Sequence, residues 1–363
     1  MKIDLGRQAA IWAFSMTVAL LQMASVVKAA PAAPRYTVTD MGNLGGEESV
    51  AYAINDQGQL VGGADTGVRG RDGEFVTSIY LWSQGVKHKI SALPGRHYYA
   101  TGINDKGQIV GAYSARPEGA IYIPFLYDHG AVHLLGVLHR SGGPLAISAA
   151  QAINEEGMIV GISNGEAFTW KNGRMLGLPM PHGFTMTTAF AVNDHGWSAG
   201  SGVGPGGAFF RSHALLWRDG KVTDLGTLPG YGDIEAHGIN NAGQVIGWAN
   251  RRLPGGSPLY RAFLWQNGRM RDLGTLPGIN DTRANAINNQ GDVVGRIVGH
   301  VARKGDERAC LWRGGHLSLL NAAIPPHSGW VLEEALAIND HGWIIGNGKH
   351  NGVARAFLLR PAK

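Results

Sequence analysis

The side chains best suited to chemistry lie just upstream of one recurring element: His97, Tyr98, Tyr231, Asp233, Glu235, Asp281, Arg283, Trp330, Glu333 and Glu334. Aromatic faces, carboxylates and a guanidinium converging on one opening would suit a polar ligand. Two carboxylates held roughly 5 to 9.5 Å apart could also cleave a glycosidic bond, one as acid and the other as base or nucleophile. Asp233, Glu235, Asp281, Glu333 and Glu334 are the candidates for that role.

Other signals have plainer explanations. Asn55-Asp56, Asn104-Asp105, Asn193-Asp194 and Asn339-Asp340 resemble fragments of calcium loops. Calcium takes about six to eight oxygens, and such a turn offers about two or three, so turn capping accounts for them and no metal is expected. No His-Glu-x-x-His spacing occurs, and His195 and His341 read as solvated turn positions. No Gly-x-Ser-x-Gly elbow and no phosphate-binding loop is present. The single cysteine, Cys310, can form no internal disulfide and sits where other copies carry Phe, which marks it as a small buried hydrophobe. No catalytic residue and no cofactor is expected.

The element that positions these side chains is Ala-x-Ala/Gly-Ile/Val-Asn, ending at Asn55, Asn104, Asn154, Asn193, Asn240, Asn288 and Asn339, at intervals of 49, 50, 39, 47, 48 and 51 residues. Each copy continues through a turn ending in Gly into an apolar strand such as Gly107-Gln-Ile-Val-Gly111. An aromatic strand follows, as in Ala262-Phe-Leu-Trp265, and then a fourth, as in Gly220-Lys-Val-Thr-Asp-Leu-Gly226. The four strands of each repeat are designated a to d. Asn-x-x-Gly turns join a to b, and Asn172-Gly173, Asp219-Gly220 and Asn267-Gly268 join c to d as type I′ hairpins. Four antiparallel strands every 40 to 50 residues are the pattern of a propeller blade. The Trp series (Trp82, Trp170, Trp217, Trp265, Trp312) is expected between blades, one per repeat, in preference to a sugar-stacking role.

The two ends of the chain predict closure. The last repeat stops after its c strand, Ala354–Leu359, while Tyr36–Leu44 is an unpartnered d strand near the start. Pairing them would close the ring and hide two sheet edges. The expected fold is an all-β, seven-bladed propeller of four-stranded blades over residues 36–363. Because strands alternate in direction, the a–b and c–d turns share one face of it. The b–c and d–a loops share the other, and variable loops on a rigid scaffold are the usual seat of binding.

The Ala-Phe-Leu-Trp strand, the Ile-Asn-x-x-Gly turn and the Asp224-Leu-Gly-Thr-Leu-Pro-Gly230 element resemble the bacterial extracellular HAF-repeat family. The resemblance covers essentially the whole chain after the leader. The first position of the His-Ala-Phe triplet is kept only as His213 and becomes Arg261, Arg308, Arg355 or Glu166 elsewhere. The resemblance implies an exported repeat protein and brings no catalytic residues with it.

Export is also read from the leader. Lys2 and Arg7 precede an uncharged stretch from Ala9 to Val27, and small residues follow, so residues 1–29 are expected to be a cleaved signal peptide and 30–35 a short linker. Without the leader 29 basic residues face 26 acidic ones, too even a balance for a nucleic-acid partner. No later segment is apolar enough to span a membrane. These features predict a secreted or periplasmic monomer. Its expected role is as a non-enzymatic binding or scaffold protein engaging a protein or glycan through the b–c/d–a face. The alternatives are an extracellular carbohydrate-active enzyme, glycosidase or lyase, with carboxylates at the channel mouth, and a structural surface array.

Overall fold

The computed structural model describes residues 36–362 apart from 44–47, 70–74, 91–96, 115–121, 139–147, 207–208, 253–257 and 300–306. The expected signal peptide and linker lie outside the described residues, as do parts of the longer b–c connections. The described chain folds into seven four-stranded antiparallel sheets, each in the order a-b-c-d. The seventh is built from both ends of the chain: Trp330–Ile338, Ile344–His350 and Val353–Pro361 are followed by Tyr36–Asp40. Tyr36 pairs with Pro361, Val38 with Leu359 and Asp40 with Phe357, so the ring closes as the sequence predicts. The blade boundary falls in the d–a connection.

Tight turns set this meander. In the c–d hairpins both central residues take positive φ, 52° and 81° at Asn172-Gly173 and 51° and 79° at Asn267-Gly268, which is the twist a type I′ turn needs. Strand d is four residues long in the first six blades, for example Lys221–Asp224. Such short outer edges offer little template for another chain.

The core lies between adjacent sheets. One cluster joins Ala199, Ala214 and Leu216 of the fourth blade to Ile234, Ala236, Val245 and Phe263 of the fifth. Phe125, Phe168, Phe263, Phe357 and Cys310 occupy the same c-strand slot and are all fully buried. Complete burial pushes the Cys310 thiol well above its ordinary value, so it is inert packing. Trp82, Trp217 and Trp312 are buried, and Trp170 and Trp265 pack half-buried against their clusters. The series therefore stands between blades, as expected.

The a strands (Ser49–Ile54, His97–Ile103, Ser148–Ile153, Met186–Val192, Asp233–Ile239, Ile279–Ile287 and Trp330–Ile338) are innermost and pack side by side around the central axis.

Candidate functional site: the central channel

Every a strand carries a one-residue bulge at the same point. The a–b register slips between Ala51 and Ala53, Ala100 and Gly102, Ala150 and Ala152, and Ala189 and Ala191. It slips again between Ala236 and Gly238, Ala284 and Ala286, and Ala335 and Ala337. The skipped residue is always the x of the repeated element. A bulge bends its strand and re-aims the extra side chain. Here Tyr52, Thr101, Gln151, Phe190, His237, Asn285 and Leu336 all line one space of about 450 Å³ on the axis.

The bulge also explains the invariant glycine of strand b. Gly247 sits against the displaced backbone of strand a, where a methyl group would collide with the carbonyl oxygen of Glu235. Gly295 meets the carbonyl of Arg283 in the same way.

Beyond the bulge residues, toward the a–b turns, Ile54, Ile103, Ile153, Val192, Ile239, Ile287 and Ile338 form a β-branched collar. The seven repeat asparagines come next. The Asn55 carboxamide donates to the carbonyl of Asn104 at 2.8 Å, Asn104 to that of Asn154 at 3.1 Å, and Asn154 to that of Asn193 at 2.9 Å. Asn193 and Asn240 pass the contact on at 3.0 Å each, Asn288 reaches Asn339 at 3.1 Å, and Asn339 returns to Asn55 at 3.0 Å. Each Oδ1 accepts the N–H four residues on, as Asn240 does from Gln244 at 3.0 Å. One side chain thus caps its own turn and ties it to the next blade.

The following residue makes a second closed circuit. The backbone N–H of Asp56 donates to Asp105 at 2.7 Å, and so on around to Asp340, whose N–H donates to Asp56 at 2.7 Å. Asp56, Asp105, Glu155, Asp194 and Asp340 place five carboxylates at this mouth, with Asn241 and Asn289 completing it. Partial burial, offset by the backbone hydrogen bond and reinforced by neighbouring acids, raises the carboxyls of Asp56 and Glu155 above their usual range. Among the described residues no group of three or more His, Cys, Asp or Glu is arranged to hold a metal.

The residues singled out from the sequence lie on the other face, dispersed over several blades. His97 begins its a strand opposite Ser114, and the Tyr98 hydroxyl lies 3.4 Å from Ser78 Oγ. Trp330 is only 9% exposed, stacked 4.7 Å from the His350 ring and edge-on to Phe357, so it is a core residue and leaves the candidate set. Each carboxylate lies near a group of its own, although the facing nitrogens of His237, Arg283 and Arg296 form no hydrogen bond. Glu235 lies 3.3 Å from His237, Asp281 3.5 Å from Arg283, and Glu333 2.6 Å from Lys349. Glu334 accepts from Asn285 at 3.0 Å and faces Arg296 at 3.6 Å, while Asp233 accepts the Ser212 N–H at 3.2 Å. Burial raises the Asp281 carboxyl, with Arg283 and Arg296 opposing the shift.

Arg283 has a packing role. Phe190 stacks on His237 at 5.1 Å, His237 on Trp248 at 5.5 Å, and Trp248 meets Tyr260 edge-on. Arg283 covers the Tyr260 ring at 3.6 Å, ending an aromatic row that starts in the channel. His213 forms a pair with Asp224, Nδ1 to Oδ2 at 2.7 Å, but its Nε2 lies 2.9 Å from the Pro205 carbonyl, where a catalytic pair would present a hydroxyl.

No protein-family model matches the chain, and no curated protein matches it significantly. Solved structures do. The β-propeller domain of the Trilobed protease from Pyrococcus furiosus is 12% identical, with 85% of this chain and 93% of that one aligned at a TM-score of 0.53. That propeller has an open velcro topology, whereas the present ring is closed by strand Tyr36–Asp40. Acylaminoacyl peptidase from Pyrococcus horikoshii is 10% identical, with 87% of this chain and 52% of that one covered at a TM-score of 0.54. A puromycin-hydrolyzing peptidase from Mycobacterium tuberculosis is 9% identical, with coverages of 90% and 54% and a TM-score of 0.51. The chain spans about half the length of these last two.

At such identities the likeness shows the fold, a β-propeller. It also corrects the functional expectation. The rings of the three structures compared here belong to peptidases, not to free-standing binding or scaffold proteins.

Proposed function

We propose that this chain is a peptidase-type propeller whose channel receives an extended polypeptide segment on behalf of a peptidase activity. The observation that carries the reading is the set of seven bulges, which turn the one variable residue of each repeat into the shared space on the axis. Tyr52, Phe190, His237 and Leu336 offer apolar and aromatic contact, and Gln151 and Asn285 bring amides able to pair with a peptide backbone. No carboxylate, lysine or arginine lies among the seven, which suits peptides of varied sequence. The likeness to peptidase propellers supports the same reading. The leader, with Lys2 and Arg7 ahead of an uncharged stretch, supports export, and the repeat elements support membership of the HAF-repeat family.

The test is photo-cross-linking of the full chain with a library of unstructured peptides carrying benzoylphenylalanine, with adduct sites mapped by mass spectrometry. Adducts should concentrate on the a-strand residues Tyr52, Phe190 and Leu336, and Gln151→Trp, which narrows the channel, should reduce them. Adducts confined to the outer loops, or unchanged by Gln151→Trp, would overturn the reading.

A further inference from the structure

A second cavity of about 640 Å³ opens at the rim between the fourth and fifth blades and shares no lining residue with the channel. Its walls are Arg211, on a c strand, Tyr231 and Asp233, entering the next a strand, and Asn250, Arg251 and Arg252, leaving the b strand beside it. Pairing of Asp233 with Asn250 holds the last two elements in register.

The charge in this cavity is unbalanced. Three guanidinium groups line it against a single carboxylate, and Asp233 already accepts the Ser212 N–H. Among the described residues none of the three arginines has a carboxylate partner. Two are held in place by other means. Arg211 lies across Gly232, where even a methyl group would meet its Nη1, and Arg251 sits over the Tyr231 ring at 5.7 Å.

An independent observation points to the same space. The side-chain oxygen Oδ1 of Asn250 is buried and has no hydrogen-bond donor. Buried polar atoms in folded proteins nearly always have a partner. Asn250 lines the cavity, so a turn of its carboxamide would bring Oδ1 to a ligand hydroxyl beside the cations.

We propose that this cavity binds a hydroxyl-bearing multivalent oxyanion, phosphoryl or polycarboxylate, gripped by Arg211, Arg251 and Arg252 and donating a hydrogen bond to Asn250. The planar guanidinium fork matches either kind of oxyanion in bidentate fashion. Three such forks in one concavity focus positive potential on it. The site differs from the channel in place and in ligand chemistry, so it stands or fails separately from the polypeptide reading.

The experiment is calorimetric titration of the full chain in chloride buffer at constant ionic strength, with citrate, tricarballylate, glycerol 2-phosphate and acetate. Citrate separates a polycarboxylate preference from the phosphoryl preference that glycerol 2-phosphate reports. Tricarballylate is citrate without its hydroxyl. Saturable one-to-one binding of citrate or glycerol 2-phosphate, with acetate at least tenfold weaker, is expected. Arg211→Gln with Arg251→Gln should weaken it at least tenfold, and Arg251→Gln alone should do so in part. Arg174→Gln, at an exposed position on the outer strand of the third blade, outside the cavity lining, should leave it unchanged. Tricarballylate should bind more weakly than citrate, and Asn250→Leu should erase that difference. Absence of saturation with all four anions, or affinity indifferent to Arg211 and Arg251, overturns the site. Equal affinity for citrate and tricarballylate overturns the role of Asn250.

Discussion

The carboxamide of Asn339 donates to the carbonyl of Asn55 at 3.0 Å, joining the last blade to the first across 284 positions of sequence. The ring is therefore closed twice. The outer closure is the strand pairing of Tyr36–Asp40 with the C-terminal strand, and the inner one is this hydrogen bond, the seventh in a circuit. Because each asparagine both caps its own turn and reaches the next, turn geometry and blade spacing depend on the same atoms.

Replacing one of these asparagines should therefore cost more than losing a turn cap. Asn240 is 3% exposed. Asn240→Ala would strand the Gln244 N–H, now satisfied at 3.0 Å, and would take from the Asn288 carbonyl one of its two donors, leaving the Gly291 N–H. An unsatisfied buried group costs about 1 to 3 kcal/mol and a lost hydrogen bond about 1 kcal/mol, so urea unfolding should show a loss of roughly 2 to 4 kcal/mol. A loss under about 0.5 kcal/mol, as at ordinary surface sites, would show that the circuit does not hold the blades.

Gly247→Ala probes the bulge itself. The new methyl group would meet backbone first, the Glu235 carbonyl and the Ala236 Cα, on a strand fixed on its other side by the neighbouring blade. Overpacking against side chains costs about 1 to 3 kcal/mol, and a backbone obstacle yields less readily. The variant should melt far below the parent or aggregate. Gly220→Ala, with open space around it but φ at 72°, should cost only about 1 kcal/mol, the penalty of the left-handed conformation.

Two tryptophans in one repeat position should respond differently to the same change. The Trp217 indole N–H donates to the Pro179 carbonyl at 2.7 Å, whereas the buried Trp312 indole nitrogen has no partner. Phenylalanine removes volume at both sites but breaks a hydrogen bond only at the first. Trp217→Phe should be more destabilising than Trp312→Phe by about 1 kcal/mol, the net value of such a bond. Equal losses in thermal unfolding would mean that the Pro179 contact contributes nothing.

The sequence made the architecture legible because the glycines and asparagines that punctuate it answer local demands. Asn172-Gly173 makes its hairpin in any context, and Gly107 its turn. The channel was harder to read. Its seven lining residues occupy the one unconstrained position of an otherwise fixed element, and the bulge that aims them is invisible to a strict alternation of strand residues. Variation inside a constant frame was the available signal. The charged residues read as a binding face proved to be paired off, Asp281 with Arg283 and Glu333 with Lys349, because such pairings depend on neighbours about 2 to 16 positions away or in the next blade. Trp330 misled for a related reason: its ring is buried by His350, a residue twenty positions on.

The carboxylate circuit gives the ring a pH dependence whose sign can be worked out. Burial, with neighbouring acids, raises the Asp56 carboxyl above its ordinary value. In the window between its unfolded and folded values the folded ring binds more protons than the unfolded chain. Stability from this group then falls as pH rises through that window, and the penalty is complete above it. Asp56→Asn removes the penalty and keeps an oxygen for the Asp340 N–H, which now donates to Asp56 at 2.7 Å. It should also gain a contact, for two blades already carry an amide here. Asn241 accepts the Asp194 N–H at 3.0 Å and returns a hydrogen bond to the Asp194 carboxylate at 2.8 Å. Asn289 reaches the other way round the circuit, donating its backbone N–H and its carboxamide to the Asp340 carboxylate at 2.8 and 2.7 Å. The variant should therefore melt higher than the parent at pH 7. The gain should stay under about 1 kcal/mol because the site is partly open to water. It should shrink as pH is lowered through that window toward about 3, where Asp56 is mostly protonated in both states. A variant that melts lower at pH 7, or whose gain persists unchanged in acid, would show that the Asp56 charge is not what the ring resists.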